Sequence, residues 1–172
     1  MKNLANKITI ARMFAVPIFL LLAYTNHKFW AFFLFVIACI SDFLDGYIAR
    51  NYNQISNFGK FMDPLADKVL VISAMCYFTD MQRMPGWVVA IVCFREFAVS
   101  GLRMLAAEKK YVISAVMSGK VKTAVTMAGI IAMLLTSNKT LDMAVSIVIA
   151  AVTLYSGISY FLHNKTFFSE EI

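Results

Sequence analysis

Six long apolar runs separated by short polar breaks dominate the chain, at about 8–25, 28–51, 60–80, 86–107, 119–137 and 141–162. All six are read as helices. Each approaches or exceeds the length of about 20 residues that a helix needs to cross the hydrocarbon core of a bilayer. The breaks are turn-like: Thr25-Asn26-His27-Lys28, Asn51 to Gly59, Thr79 to Gly86, a stretch through Glu108-Lys109-Lys110, and Ser137-Asn138-Lys139-Thr140. No repeat or low-complexity tract stands out. The opening Met1-Lys2-Asn3-Leu4 is not followed by the separate apolar segment and small-residue cleavage site of a removable signal peptide, so the first helix is expected to be retained. The pattern predicts an all-α, polytopic membrane protein with six transmembrane helices, a single domain over residues 1–172.

Composition sharpens this expectation. Hydrophobic residues make up 60% of the chain and charged residues 15%, with a mean hydropathy of +0.72, whereas a soluble domain carries about a quarter charged residues. Sixteen Lys and Arg against ten Asp and Glu give a net charge of +6. In a membrane protein that excess points to topology and to anionic lipid or phosphate ligands, not to nucleic acid. With the N-terminus inside, only Lys28, Arg83 and Lys139 fall on the outer side, and the other thirteen basic residues fall on the inner side or at inner helix ends. Both termini are therefore predicted to be cytoplasmic, in a multi-pass protein of the cytoplasmic (inner) membrane. Trp30, Trp87, Tyr24 and Tyr52 suit interfacial belts. Cys39, Cys76 and Cys93 lie inside apolar runs without paired spacing and are expected to be packing residues. His27 and His163 read as solvated.

Four of the ten acidic residues, Asp42, Asp45, Asp63 and Asp67, fall within 26 residues and belong to apolar segments. The run from Lys28 to Asp42 is too short to span, whereas Lys28 to Arg50 covers about 33 Å, so Asp42 and Asp45 are expected inside the membrane. Counting from the inner helix ends places that pair roughly 12 Å and 8 Å deep, and Asp63 and Asp67 roughly 5 Å and 10 Å deep. The pairs are spaced i,i+3 and i,i+4, so each shares a helix face. Opposed, the two faces would form a four-carboxylate cage open to the cytoplasm. Four anions in a low dielectric require counter-charge, and hard oxygen donors suit Mg²⁺ or Mn²⁺, one or two ions, better than zinc. Such ions orient a diphosphate and stabilise charge on attacking and leaving oxygens. The plainer alternative makes Asp63 a helix N-cap with Pro64 at the first helical position and lets Lys68 neutralise Asp67. Gly46 and Gly59 lie close by, where a missing side chain would let a nucleotide approach the backbone.

Written out, the segment is Asp42-x2-Asp45-Gly46-x2-Ala49-Arg50-x8-Gly59-x3-Asp63-x3-Asp67. It resembles the signature of the CDP-alcohol phosphotransferases at all eight fixed positions, and the six-helix plan extends the resemblance over essentially the whole chain. The resemblance implies transfer of a substituted phosphate from a CDP-linked donor to an alcohol with release of CMP, and a homodimer. It makes Asp42, Asp45, Asp63 and Asp67 metal ligands, Asp67 also the general base, and Gly46, Ala49, Arg50 and Gly59 the lining of the CDP site.

The acceptor is read from two further stretches, Arg95-Glu96-Phe97 through Ser100-Gly101-Leu102-Arg103, and Gly119-Lys120-Val121-Lys122-Thr123. These, with Asn6-Lys7-Ile8-Thr9-Ile10-Ala11-Arg12 and Pro17, are similar to the phosphatidylglycerophosphate synthases of that family. The implied substrates are CDP-diacylglycerol and sn-glycerol 3-phosphate. Chemistry agrees, because a phosphate monoester acceptor needs a cationic pocket, and Arg95, Arg103, Lys120 and Lys122 are the candidates for it. Blander roles exist for each: Glu96 and Arg103, seven apart, as a buried structural pair, and Lys120 and Lys122 as interfacial anchors of the fifth helix. Arg12 is read as snorkelling or touching substrate and is left unassigned. A sister enzyme with another acceptor, such as phosphatidylglycerol, serine or inositol phosphate, is the nearest rival. A cation-coupled transporter is the rival of another class, but transporter acids tend to lie at the midplane between internal repeats, whereas these lie toward one side with no repeat.

Overall fold

The computed structural model describes residues 3–52, 57–108 and 116–165, with side chains over 10–41, 68–106 and 116–165. All regular structure in it is helical. The helices are α1 (Asn3–Tyr24), α2 (Lys28–Tyr52), α3 (Asn57–Asp80), α4 (Gly86–Glu108), α5 (Met117–Leu135) and α6 (Lys139–His163). Their joints follow local chemistry. Asn26 turns the chain at φ 64 between α1 and α2, a left-handed conformation that Asn tolerates better than most residues. Gln82 does the same at φ 55 after α3, with its N–H donating to the Thr79 carbonyl at 3.0 Å. Asn138 caps α6, its side-chain oxygen accepting from the backbone N–H groups of Thr140 and Leu141 at 3.0 and 3.4 Å.

The chain divides into two compact units, Met1–Gln82 with Ile130–Ser137, and Arg83–Gly129 with Asn138–Ile172. In the first, α1 packs against α3 and α2. The fully buried rings of Phe19 on α1 and Phe35 on α2 meet at 5.8 Å between centroids. Around them Ala15, Ala23, Ala31 and Ala38 are buried, and Leu70, Ala74, Met75 and Phe78 give α3 a buried stripe at helical spacing. Small side chains on α1 and α2 let the helix backbones approach, the usual device where apolar surroundings remove the hydrophobic drive between helices.

In the second unit α4 packs on α6. The buried stripe of α6 is small and polar as well as apolar: Asp142, Ser146, Ile149, Ala150, Thr153, Ser156 and Tyr160. At its start, Arg83 donates to both carboxylate oxygens of Asp142, at 2.7 and 2.8 Å, a two-bond pair with Asp142 almost fully buried. A Cβ on Gly129 would lie 2.7 Å from Val145 Cγ1, so glycine is what admits α5 to the surface of α6 there.

The helices match the predicted runs, with shifts at the ends. α1 begins at Asn3 and not near residue 8, because Asn6 and Lys7 are polar but still helical; α6 begins two residues early because Asn138 is its cap. Of the cysteines expected to pack, Cys39 and Cys93 are half-buried and Cys76 is exposed, and none forms a disulfide. Large apolar side chains also face outward: Phe14, Leu21, Phe29, Trp30, Phe94 and Leu162 are all more than half exposed. Apolar exposure on that scale marks a surface meant for lipid or protein and not for water. Among the described residues, α5 and α6 are long and apolar enough to cross a membrane by themselves.

Candidate active site

Asp42 and Asp45 occupy the second half of α2, and Gly46, Ala49 and Arg50 follow on the same helix; Gly59, Asp63 and Asp67 occupy the first half of α3. The side chains of these eight residues lie outside the described residues. The backbone still decides one question. α3 starts at Asn57, six residues before Asp63, so Asp63 is inside the helix and is not its N-cap, and Pro64 is not at the first helical position. With both pairs on continuous helices, the i,i+3 and i,i+4 spacings keep each pair in one register. α2 and α3 also belong to one compact unit. Four carboxylates from two helices of one unit are an all-oxygen donor set, which fits a hard divalent cation. Among the described residues, no three His, Cys, Asp or Glu gather as a further metal site.

The basic candidates of the second unit separate into two kinds. Glu96 Oε1 accepts from Arg95 Nη1 at 2.9 Å and from Lys122 Nζ at 2.7 Å. Arg95 Nη2 donates in turn to Ser156 Oγ at 2.7 Å, so one carboxylate ties α4 to α5 and one guanidinium ties both to α6. The site is shaped by small residues: a Cβ on Gly119 would lie 3.3 Å from Arg95 Nη2, and one on Gly157 would lie 3.4 Å from Arg95 Cγ. Arg103 and Lys120, by contrast, are exposed. The Arg103 guanidinium lies over the Tyr160 ring, 5.6 Å from its centroid, a cation–π position that steadies the side chain while leaving its N–H donors available.

These contacts correct two alternatives drawn from spacing. Glu96 does not pair with Arg103; among the described residues it accepts from its own neighbour Arg95 and from Lys122 on α5. Lys122 is not an interfacial anchor, since it is only 4% exposed, whereas exposed Lys120 is compatible with that role. Ser156, Gly157 and Tyr160 escaped sequence reasoning because their relevance is set by the packing of α6 on α4. Arg12, left unassigned between snorkelling and touching substrate, is buried on α1 beside a cavity of about 180 Å³ that Ser41, the neighbour of Asp42, also lines. The signal was present, for an arginine inside an apolar run is costly unless something uses it.

Comparison with known proteins gives a consistent answer. The model of the CDP-alcohol phosphatidyltransferase family matches residues 2–156. The CDP-diacylglycerol--glycerol-3-phosphate 3-phosphatidyltransferase of Bacillus subtilis (strain 168) is 37% identical to this chain, covering 95% of it and 96% of the relative. The protein of the same name from Rickettsia typhi is 38% identical, covering 98% and 100%. A probable phosphatidylglycerophosphate synthase of Mycobacterium tuberculosis is 37% identical, covering 92% of this chain and 79% of its own length.

Proposed function

This chain belongs to the CDP-alcohol phosphatidyltransferase family, and from that premise we infer that it makes phosphatidylglycerol phosphate. It is an enzyme that transfers the phosphatidyl group of CDP-diacylglycerol to sn-glycerol 3-phosphate and releases CMP. The observation that carries this is near-full-length similarity to relatives named for that reaction, and the basic residues Arg95, Arg103, Lys120 and Lys122 supply the opposing charge that a phosphate-bearing acceptor needs.

Members of the family generally use divalent metal ions. In this chain Asp42, Asp45, Asp63 and Asp67 would hold them, as one or two Mg²⁺ or Mn²⁺ ions. The chemistry such ions supply is neutralisation of the donor diphosphate and of the charge that develops on departing CMP. The remaining steps fall to the chain itself. Gly46, Ala49, Arg50 and Gly59 line the cytidine diphosphate site, with the glycines giving backbone access. The basic residues of α4 and α5 hold the acceptor phosphate and so aim its free hydroxyl. Asp67 takes the hydroxyl proton, the oxygen bonds to the lipid-side phosphorus, and the bond from that phosphorus to CMP breaks. The donor's acyl chains stay among the lipids that the outward-facing Phe, Leu and Ile residues meet. The same surface supports six membrane-spanning helices in one domain over residues 1–172, and the bias of basic residues supports a cytoplasmic-membrane enzyme with both termini and the aspartate cavity on the cytoplasmic side. A homodimer is the assembly that fits the family.

The test is CMP release by the purified full-length chain in mixed micelles of CDP-diacylglycerol. Release should require both glycerol 3-phosphate and a divalent ion, and should stop on chelation and return when Mg²⁺ or Mn²⁺ is restored. Release that is indifferent to glycerol 3-phosphate overturns the acceptor, and release that survives exhaustive chelation overturns the metal.

A further inference from the structure

The Arg95–Glu96–Lys122 cluster is unbalanced in a way that a purely structural ion pair is not. Two cations share a single carboxylate oxygen, at 2.9 and 2.7 Å, so among the described residues these three side chains sum to a formal charge of +1, and all are nearly buried, at 12%, 11% and 5% exposure. The cluster also has more donors than acceptors. Arg95 uses Nη1 on Glu96 and Nη2 on Ser156, while its buried Nε has no hydrogen-bond partner. The Lys122 ammonium, with three N–H donors, has Glu96 as its hydrogen-bond acceptor among the described residues. Buried donors left without acceptors are costly, and a buried net charge more so. An anion with several oxygens would complete the set.

We propose that Glu96 is a positioning residue for acceptor binding, holding Arg95 and Lys122 charged and side by side so that their spare N–H donors meet the phosphate of the acceptor. Glu96 itself, as a carboxylate, does not touch that phosphate. Its work is on the two cations: without it, two positive groups would stand together in a low-dielectric setting and would separate. The surroundings are built to keep the arrangement. Gly119 and Gly157 leave room for the Arg95 side chain and Ser156 fixes its outer nitrogen. This inference rests on the reading of glycerol 3-phosphate as acceptor. It adds a residue that the acceptor pocket needs but that a search for phosphate-binding cations would pass over because it is acidic.

The experiment compares Glu96→Gln, Glu96→Asp, Lys122→Met and the double variant Glu96→Gln/Lys122→Met in the full-length enzyme, measuring thermal midpoint, kcat, and KM for each substrate. Glu96→Gln should raise the KM for glycerol 3-phosphate at least tenfold, with kcat and the KM for CDP-diacylglycerol within about threefold of the parent. Glu96→Asp should recover part of the loss. The double variant is read against Lys122→Met, which already lacks one of the two cations that Glu96 holds. If Glu96 acts through Lys122, adding Glu96→Gln to Lys122→Met should raise the acceptor KM by a clearly smaller factor than it does in the parent. An equal factor in both backgrounds shows that Glu96 does not act through Lys122 and overturns the proposal; if both KM values rise in step in Glu96→Gln, it supports the cavity as a whole and the proposal is equally overturned. Failure of the underlying reading looks different: the parent enzyme itself would show no turnover dependent on glycerol 3-phosphate.

Discussion

Replacing Arg83 by Ala isolates Asp142, the most deeply buried carboxylate among the described residues of the second unit. Asp142 is 3% exposed and both of its oxygens accept from Arg83, at 2.7 and 2.8 Å. Removing one partner of a buried pair costs about 3–5 kcal/mol, because the other charge is left without compensation. Two features lower that figure here. Asp142 lies in the first turn of α6, where the helix dipole returns about 0.3–1 kcal/mol to an anion, and the Arg83 side chain is 17% exposed, so water reaches the pair. A net loss of about 2–4 kcal/mol follows. At the sensitivity of a chain of this size, about 2–4 °C per kcal/mol, the thermal midpoint in detergent should fall by roughly 4–16 °C. The control is Arg83→Leu with Asp142→Leu, which removes the pair entirely and should stay within about 1 kcal/mol of the parent, since apolar replacement of both ions is often neutral. A midpoint unchanged in Arg83→Ala, or a double variant no more stable than the single one, refutes the reasoning.

Arg103→Ala should raise the KM for glycerol 3-phosphate about tenfold to hundredfold, the equivalent of the roughly 1.5–3 kcal/mol in a charge-assisted contact, and Arg103→Lys should recover only part because the forked geometry is lost; steady-state kinetics on both substrates decides it. Asp67→Asn should abolish turnover while CDP-diacylglycerol binding persists, and near-normal turnover removes Asp67 as the base. Asp42→Ala should instead lose metal-dependent donor binding, measured by titration with and without the divalent ion. Gly129→Ala should destabilise by about 1–3 kcal/mol despite alanine's better helix propensity, since its Cβ would stand 2.7 Å from Val145 Cγ1; a raised thermal midpoint shows that α5 gives way freely.

The number, order and approximate length of the helices were legible because each is a long apolar run, and such runs in a chain this poor in charge have few other folds open to them. Helix ends were less legible. Asn6 and Lys7 lay before the first apolar run and are helical, whereas Asn138 looked like part of a break and is a cap, and all three are polar. The aspartates stood out because a carboxylate in an apolar run is expensive, and their spacing carried the family resemblance. The partners of Glu96 were hidden for a reason of geometry. Spacing along one helix offered Arg103, seven residues on, but the ammonium that it binds belongs to Lys122, 26 residues away on α5, and only packing brings the two together. The same holds for Ser156 and Gly157, which are unremarkable in sequence and become a cradle for Arg95 once α6 lies against α4.

Product identity tests the central claim most directly. The purified chain, given CDP-diacylglycerol and a divalent ion, is offered glycerol 3-phosphate, phosphatidylglycerol, serine and inositol phosphate in separate reactions, and the lipid formed in each is identified by mass. The account predicts phosphatidylglycerol phosphate, equimolar with CMP, from glycerol 3-phosphate, and little product from the others. A different acceptor giving the faster reaction and its own lipid, with glycerol 3-phosphate left unused, would contradict it.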